Sequence, residues 1–253
     1  MNMRHQNHPS PEHLIEAVGL SKQFKGSDIW AVKDLSFQAG SGEIIGLIGE
    51  NGAGKSTMLR MLATMLKPSS GKVSIDGYDT IHNPGEVRRS IGILFGQQSG
   101  LYERLSAREN ILYFADLNGL PYVAARRKLS EISSLLDMKE FLDRPAGTFS
   151  TGMRQKTLIA RSIIHNPKVL MLDEPATGLD VTSARNIHSF ISWCKELNKT
   201  VIFSSHDLGV VERLSDRVLL LHKGSLMGIG TPSELAGKET LEEHFFQVQD
   251  SVQ

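Results

Sequence analysis

The first segment with clear chemical meaning runs from Gly49 to Ser56 and reads Gly-Glu-Asn-Gly-Ala-Gly-Lys-Ser. Its glycines let backbone N–H groups converge on phosphate oxygens, and the positive end of the helix expected after it points at the same place. In such a loop Lys55 reaches the β- and γ-phosphates of a nucleotide, and Ser56 supplies a hydroxyl to Mg²⁺. The predicted nucleotide contacts are Gly49, Glu50, Asn51, Gly52, Ala53, Gly54, Lys55, Ser56 and Thr57.

A second segment, Val169-Leu-Met-Leu-Asp-Glu174, places two acids after four apolar residues. The apolar run predicts a buried parallel strand, and ligands of open α/β sheets bind at the carboxyl ends of such strands. Asp173 is predicted to orient Mg²⁺ or its water, and Glu174 to position the attacking water or accept its proton. Adjacent acids are also common at a solvated strand end, so this interpretation depends on the phosphate-binding loop in the same chain.

A third segment, Phe149-Ser-Thr-Gly-Met-Arg-Gln155, marks the predicted start of a helix. Ser150 and Gly152 can present a hydroxyl and backbone donors to an anion at this helix terminus. The alternative is an ordinary serine N-cap with no ligand.

These segments require a framework of alternating strands and helices. Short alternating runs in 14–48 predict strands, and a helix from Ser56 is expected to carry apolar residues as far as Leu66 before Pro68. Residues about 98–165 look mainly helical, beginning with the capping-box spacing of Ser106 to Glu109. Strands at 169–172, 201–205 and 217–222, with a helix at 181–197, complete an α/β fold with a parallel sheet.

The composition argues against several classes of partner and site. Lys+Arg and Asp+Glu both total 28, so no overall charge attracts nucleic acid, and no nucleic-acid partner is expected. Cys194 is the single cysteine, which excludes an internal disulfide and a thiolate zinc cluster and favours a reducing compartment. The longest apolar runs are far shorter than the ~20 residues of a membrane span, so no transmembrane segment is expected.

The order of these segments, followed by Ser204-Ser-His206, resembles the ABC ATPase family from about residue 14 to 235. The resemblance implies a P-loop NTPase of ABC type, α/β, with a mixed parallel sheet core, N-terminal antiparallel β strands and an inserted helical subdomain. It implies residues 1–13 as a flexible N-terminal tail, 14–240 as the ATPase domain with the helical subdomain at about 98–165, and 241–253 as a C-terminal tail. The implied cofactors are ATP and Mg²⁺.

The resemblance also assigns individual roles. Phe24 matches the aromatic that stacks on adenine, with Trp30 as the rival aromatic. Gln97 matches a glutamine that contacts Mg²⁺ and water and relays to a membrane partner; the loop is one residue longer than the common pattern, so Gln98 stays open. Asp180 matches a loop that crosses between two monomers.

His206 matches the histidine that senses the γ-phosphate, and Ser150 and Gly152 match the family's signature, which closes over ATP held by a second copy. The resemblance therefore implies Glu174, His206 and Gln97 as catalytic residues. It implies Ser56, Gln97 and Asp173 as the residues around the metal. The partner in the dimer would be a second copy of the chain or a related cassette.

The signature has Phe149, Thr151 and Met153 where the family usually has Leu, Gly and Gln. Met153-Arg-Gln155 resembles the signatures of ABC-2-type exporters, including sodium-efflux and drug-efflux ATPases. This implies a peripheral ATPase at the cytoplasmic face of the cell membrane that powers a separate polytopic permease, with export as the direction of transport. The alternatives are a single-cassette ABC ATPase that serves a soluble assembly complex, and a catalytically dead scaffold, which the presence of Lys55 and Glu174 disfavours.

Overall fold

The computed structural model describes residues 13–95, 100–237 and 240–250. One of its two sheets is antiparallel, with strand order β2-β1-β4-β5. These strands are β1 (Ile15–Gln23), β2 (Trp30–Ala39), β4 (Ser70–Ile75) and β5 (Tyr78–Asp79). The buried faces of this sheet cover one side of the second sheet, on which the chemically informative segments lie.

The second sheet has the strand order β10-β9-β3-β8-β7-β6. Its strands are β3 (Ile44–Ile48), β6 (Ile91–Phe95), β7 (Val169–Asp173), β8 (Thr200–Ser204), β9 (Arg217–His222) and β10 (Ser225–Gly230). All neighbours are parallel except β9 and β10, which form a hairpin. Because β3, β8 and β7 are adjacent and parallel, the segments that follow them meet at one edge of the sheet.

Helices cover both faces of this sheet. They are α1 (Lys55–Leu62), α2 (Pro84–Ser90), α3 (Ala107–Leu117), α4 (Tyr122–Leu135), α5 (Thr151–Ile163), α6 (Val181–Glu196), α7 (Leu208–Leu214), α8 (Pro232–Ala236) and α9 (Leu241–Asp250). Ile44 and Ile48 join the apolar cluster shared with α3 to α6, whereas Ile45 and Leu47 join the cluster shared with α1 and the antiparallel sheet. Burial on both faces explains why β3 is apolar throughout.

The predicted α/β fold with a mixed sheet and N-terminal antiparallel strands is confirmed. The predicted capping box is also present, since Ser106 Oγ accepts from Glu109 N while Ser106 N donates to the Glu109 carboxylate. In the described part of the chain, no helix is both long enough and apolar enough to cross a membrane.

Two sequence-based expectations differ from the structure. The helix expected from Ser56 through Leu66 ends at Leu62, because Thr64 adopts a left-handed φ of 61° and the Met65 and Leu66 amides turn back to Arg60 O. The segment expected to be a C-terminal tail from residue 241 instead contains α9, which is anchored by the fully buried Leu241 and by Phe245. Apolar contact with the core outweighs the loss of chain entropy in this segment.

Candidate functional site

The glycine-rich loop joins the end of β3 to the first turn of α1. Gly54 has φ 104°, and a Cβ there would lie 2.3 Å from Ala31 O; at Gly49 it would lie 2.5 Å from Leu221 O. Both positions therefore need glycine for close packing of the backbone. Gly54 is also the N-cap residue of α1, with no side chain capping it and no acid in the first turn. The first-turn amides of α1 are thus not neutralised by a protein carboxylate, as an anion-binding helix start requires.

Lys55 lies inside the curve of this loop and is only 5% exposed. Its Nζ donates to Gly49 O at 2.5 Å and to Glu50 O at 3.0 Å. Burial lowers the pKa of Lys55, while the nearby carboxylates of Glu174, Asp173 and Glu50 oppose this shift. The ammonium group is therefore held between the loop carbonyls and the acids that end β7, where an anionic group would be attracted to it.

The two acids at the end of β7 are held by β8. Ser204 Oγ donates to Asp173 Oδ1 at 2.7 Å and accepts a hydrogen bond from Glu174 N at 2.8 Å. Glu174 has a left-handed φ of 50°, so the chain turns sharply at this residue. The backbone after the strand is consequently fixed at the point where the Glu174 side chain leaves it.

The Glu174 carboxylate contacts two further side chains. Its Oε1 lies 2.7 Å from His206 Nε2, and its Oε2 accepts from Thr177 Oγ1 at 3.2 Å. The Glu174 and His206 side chains are 29% and 44% exposed, so both can reach a molecule in solvent. His206 also lines a cavity of about 410 Å³ with Gly49 and Glu50. A partly exposed carboxylate beside a histidine can position water and take its proton.

The two aromatic candidates differ in exposure. Phe24 follows β1 and is 47% exposed, with Lys22 Nζ 5.4 Å from the ring centroid. Trp30 begins β2, pairs with Gln23 and is partly buried. The face of the Phe24 ring is therefore the more accessible surface for a planar base.

The helix start at Ser150 forms an N-cap, since Ser150 Oγ accepts from Met153 N at 3.3 Å. Asp180 caps the neighbouring α6: its carboxylate accepts from Ser183 N at 2.9 Å and from Ser183 Oγ at 2.6 Å. The hydrogen bond from the Ser183 side chain lowers the pKa of Asp180. A Cβ on Gly152 would lie 2.8 Å from Ser183 Oγ, so α5 and α6 begin side by side.

The structure thus divides the predicted site residues into two groups. Lys55, Asp173, Glu174 and His206 lie together at the edge of the parallel sheet. Ser150, Gly152 and Asp180 lie together at the starts of α5 and α6, and no hydrogen bond within the described part of the chain joins them to the glycine-rich loop. Gln97 and Gln98 fall outside the described residues.

Three contacts of the site were missed by sequence reasoning. Ser204 bridges the two acids, Thr177 donates to Glu174, and Gln155 Nε2 donates to Pro175 O at 2.6 Å, which ties α5 to the turn after β7. A signal existed only for Ser204, as a polar residue that ends its strand after three apolar residues.

Comparison with known proteins identifies relatives over most of the chain. Residues 32–177 match a family model described as ABC transporter. "ABC transporter ATP-binding protein NatA" of Bacillus subtilis is 42% identical over 91% of this chain and 94% of its own length. "Doxorubicin resistance ATP-binding protein DrrA" of Mycobacterium tuberculosis is 38% identical over 86% of this chain, which spans 65% of that protein.

Solved structures agree with these sequence matches. One, described as "Structure of ATP binding subunit of ABC transporter", has a TM-score of 0.85 and 27% identity, covering 93% of this chain and 99% of its own. Another, the dimeric ATP-binding cassette MJ0796 bound to ADP and Pi, has a TM-score of 0.74 and 27% identity, covering 86% and 98%. The fold is therefore shared along nearly the whole of these chains.

Proposed function

The chain belongs to the ABC transporter family as an ATP-binding subunit, and from this premise we propose that it hydrolyses ATP as a head-to-tail dimer that powers a separate membrane permease. The observation that carries the proposal is the group at the edge of the parallel sheet. There the buried Lys55 lies near the acids that end β7, and the Glu174 carboxylate lies 2.7 Å from His206. Transfer of a phosphoryl group to water requires a cation that binds the phosphate and a carboxylate that positions the water and accepts its proton.

In the proposed reaction, water attacks the γ-phosphorus of ATP. Glu174 accepts the proton of that water, the bond to the bridging oxygen breaks, and ADP and phosphate leave. Lys55 and the amides of the glycine-rich loop bind the phosphates, and Phe24 stacks on the adenine ring. His206 senses the γ-phosphate beside Glu174.

The residues around the proposed metal position suit Mg²⁺. Ser56 offers a hydroxyl and Asp173 a carboxylate, both hard oxygen donors of the type that Mg²⁺ prefers, and the sequence adds Gln97. Bound Mg²⁺ would neutralise charge on the β- and γ-phosphate oxygens. Ser204 Oγ donates to Asp173 Oδ1, and this hydrogen bond orients the carboxylate.

A second chain would complete each site. Ser150, Gly152 and Asp180 lie together at the starts of α5 and α6, and no hydrogen bond among the described residues joins them to the glycine-rich loop of the same chain. A head-to-tail arrangement would bring these residues onto ATP bound by the partner. The dimeric form of the MJ0796 cassette supports this proposal by analogy. The partner is either an identical copy or a related cassette.

The permease is proposed to dock beside the segment that contains Gln97. A groove of about 520 Å³ lies next to Phe95 and is lined by Ile93, Met65, Arg88 and Arg161, among others. The Arg161 guanidinium lies 4.2 Å from the Phe114 ring centroid and donates to Gly100 O. Gly100 directly follows residues 96–99, which the structure does not describe. Apolar walls with arginines suit a permease loop that carries an apolar side chain and an acid.

Export is proposed as the direction of transport, because relatives include a protein named for doxorubicin resistance. In this proposal the ATPase domain begins at residue 14 and includes α9, its helical subdomain spans about 98–165, and the protein acts at the cytoplasmic face of the membrane. The cargo would be selected by the permease.

The Glu174→Gln variant tests the ATPase proposal. Replacing the proposed base by an amide of the same shape should lower turnover by about 10²- to 10⁴-fold. ATP binding should remain, and ATP should now convert the variant to a stable dimer, measured by phosphate release and by size-exclusion chromatography with light scattering. Glu140→Gln changes an exposed glutamate that belongs to neither group of proposed site residues, and it should leave turnover unchanged.

Wild-type turnover in Glu174→Gln would refute the catalytic role, and a monomer with bound ATP would refute the clamp. The transporter proposal is tested separately by purifying tagged Glu174→Gln from its native cell with ATP and mild detergent. A stoichiometric polytopic membrane protein supports that proposal and identifies the permease. Soluble partners alone would instead indicate a single-cassette assembly factor.

A further inference from the structure

Ser204 carries a buried hydroxyl at the end of the strand that lies between the two site-bearing strands. It ends β8, all five residues of which are buried, and its own exposure is 0%. In the sheet β8 lies between β3, which leads into the glycine-rich loop, and β7, which leads into the acid pair. A hydroxyl buried at such a point requires partners, because an unpaired polar group there is costly.

The two hydrogen bonds of Ser204 use its donor and acceptor in defined directions. The Glu174 amide can only donate, so Ser204 Oγ accepts from it at 2.8 Å. The single hydroxyl proton then remains for Asp173 Oδ1 at 2.7 Å. The second of these bonds ends on a carboxylate oxygen and is therefore of the stronger, charge-assisted kind.

Both acids are consequently constrained through one hydroxyl. The bond to the Glu174 amide holds the backbone of a residue with φ 50°, a conformation that a residue with a side chain rarely adopts. From this turn the Glu174 carboxylate reaches His206 and Thr177. The bond to Asp173 engages Oδ1, which fixes the direction of the other carboxylate oxygen.

We propose that Ser204 is a positioning residue for ATP hydrolysis: one hydroxyl fixes the Asp173 carboxylate and the Glu174 backbone relative to each other. The inference rests on the roles proposed above for Asp173 and Glu174. Ser204 does not contact nucleotide in this proposal; it acts by holding two groups whose displacement by about 1 Å can cost as much as 10²-fold in rate.

Removing the hydroxyl tests the proposal. Ser204→Ala should lower kcat by about 10- to 100-fold while the KM for ATP changes by less than about twofold, since the loop that binds phosphate is untouched. The Mg²⁺ concentration at half-maximal rate should rise several-fold because Asp173 loses its orienting donor. Ser204→Thr keeps a hydroxyl at the same point and should recover most of both effects.

Thr200 provides a matched control at the other end of β8. Its side chain is also 0% exposed, and its Oγ1 donates to Gly40 O at 2.7 Å and accepts from Gly42 N at 3.1 Å. Thr200→Val removes this buried hydroxyl with little change of shape, so it should destabilise the fold to a similar degree yet leave kcat and the Mg²⁺ midpoint unchanged. Thermal unfolding of both variants establishes that the losses of stability are comparable.

Three outcomes would overturn the inference: wild-type kcat in Ser204→Ala, an equal loss of kcat in Thr200→Val, or a Thr variant that folds but recovers nothing. If Ser204→Ala does not fold, Ser204→Thr and Ser204→Cys are compared instead, and kcat must fall with the weaker thiol donor. These experiments distinguish the role of Ser204 from the proposed ATPase function. If Ser204 is unimportant but the ATPase proposal is correct, Glu174→Gln would still abolish turnover.

Discussion

At the scale of single residues, the assignment of the adenine platform can be decided between two aromatic side chains. Phe24 is 47% exposed and Trp30 is partly buried, so Phe24 is the more accessible of the two side chains. Phe24→Ala should raise the KM for ATP by about fivefold or more, since base–aromatic stacking is worth roughly 1–3 kcal/mol, while kcat should change little. Phe24→Tyr should retain wild-type KM. Steady-state ATPase assays over a range of ATP concentrations measure both.

Trp30→Ala serves as the matched comparison, because it removes the rival aromatic ring at the start of β2. It should leave the KM for ATP close to the wild-type value. If Phe24→Ala has no effect and Trp30→Ala raises the KM, the roles of the two aromatics are reversed and the adenine lies nearer to β2.

The residues predicted from the sequence were those that belong to local patterns. The glycine-rich loop and the acid pair could be recognised because each is defined by neighbours within eight positions and by the strand before it. Ser204, Thr177 and Gln155 were missed because their contacts depend on which strands and helices become neighbours. The hydroxyl of Ser204 bonds a residue 30 positions away, and strand order sets that pairing.

At the scale of elements, the longer helices and the apolar strands followed from periodicity, whereas short elements did not. β6 is a five-residue apolar run that, unlike β3 and β7, leads into neither the glycine-rich loop nor the acid pair, so its pattern alone did not distinguish it from part of a helix. α9 carries a recognisable signal that was not used: Thr240 Oγ1 accepts from Glu243 N while Thr240 N donates to Glu243 Oε2, the reciprocal pair of a capping box.

The starts of α5 and α6 are in close contact at Gly152 and Ser183. A Cβ on Gly152 would lie 2.8 Å from Ser183 Oγ, which is bonded to Asp180. Gly152→Ala should therefore push Ser183 away from Asp180 and disturb both helix starts that are proposed to face the partner. In the Glu174→Gln background, this change should weaken ATP-dependent dimerisation at least several-fold, measured by light scattering, while ATP binding to the monomer stays intact.

A second substitution tests whether the contact with Ser183 is the cause. Ser183→Gly removes the obstructing hydroxyl and leaves the bond from the residue 183 amide to Asp180 available, so Gly152→Ala/Ser183→Gly should dimerise better than Gly152→Ala. Gly85→Ala is the control, since a Cβ there meets nothing within 4 Å. No restoration in the double variant would mean that the Gly152 backbone itself, rather than Ser183, is what the partner requires.

At the scale of the whole molecule, Cys194 reports on the integrity of the fold. Its side chain is 1% exposed, and burial raises the pKa of its thiol to about 12, so almost no reactive thiolate is present in the folded protein at pH 8. Because the folded-state pKa is raised above 9.0, this group favours folding fully below pH 9, and the contribution is lost as the pH rises from 9 toward 12. The midpoint temperature of thermal unfolding should therefore fall more steeply above pH 9 in wild type than in Cys194→Ala.

Reaction of Cys194 with a thiol reagent at pH 8 should consequently require opening of the packing between α4 and α6, where it lines a cavity of about 270 Å³. If opening is global, a ligand that binds only the folded chain reduces the open population by the factor 1 + [L]/Kd, or about 100-fold at 100 times Kd. MgATP should then slow labelling of Cys194 in the Glu174→Gln variant by this factor, although the thiol is not part of the proposed site. A Cys194→Ser protein with a cysteine at the exposed Ser134 should label rapidly with or without MgATP. Labelling of Cys194 at the same rate with and without MgATP would show that the helical region opens locally, without release of the nucleotide-binding core.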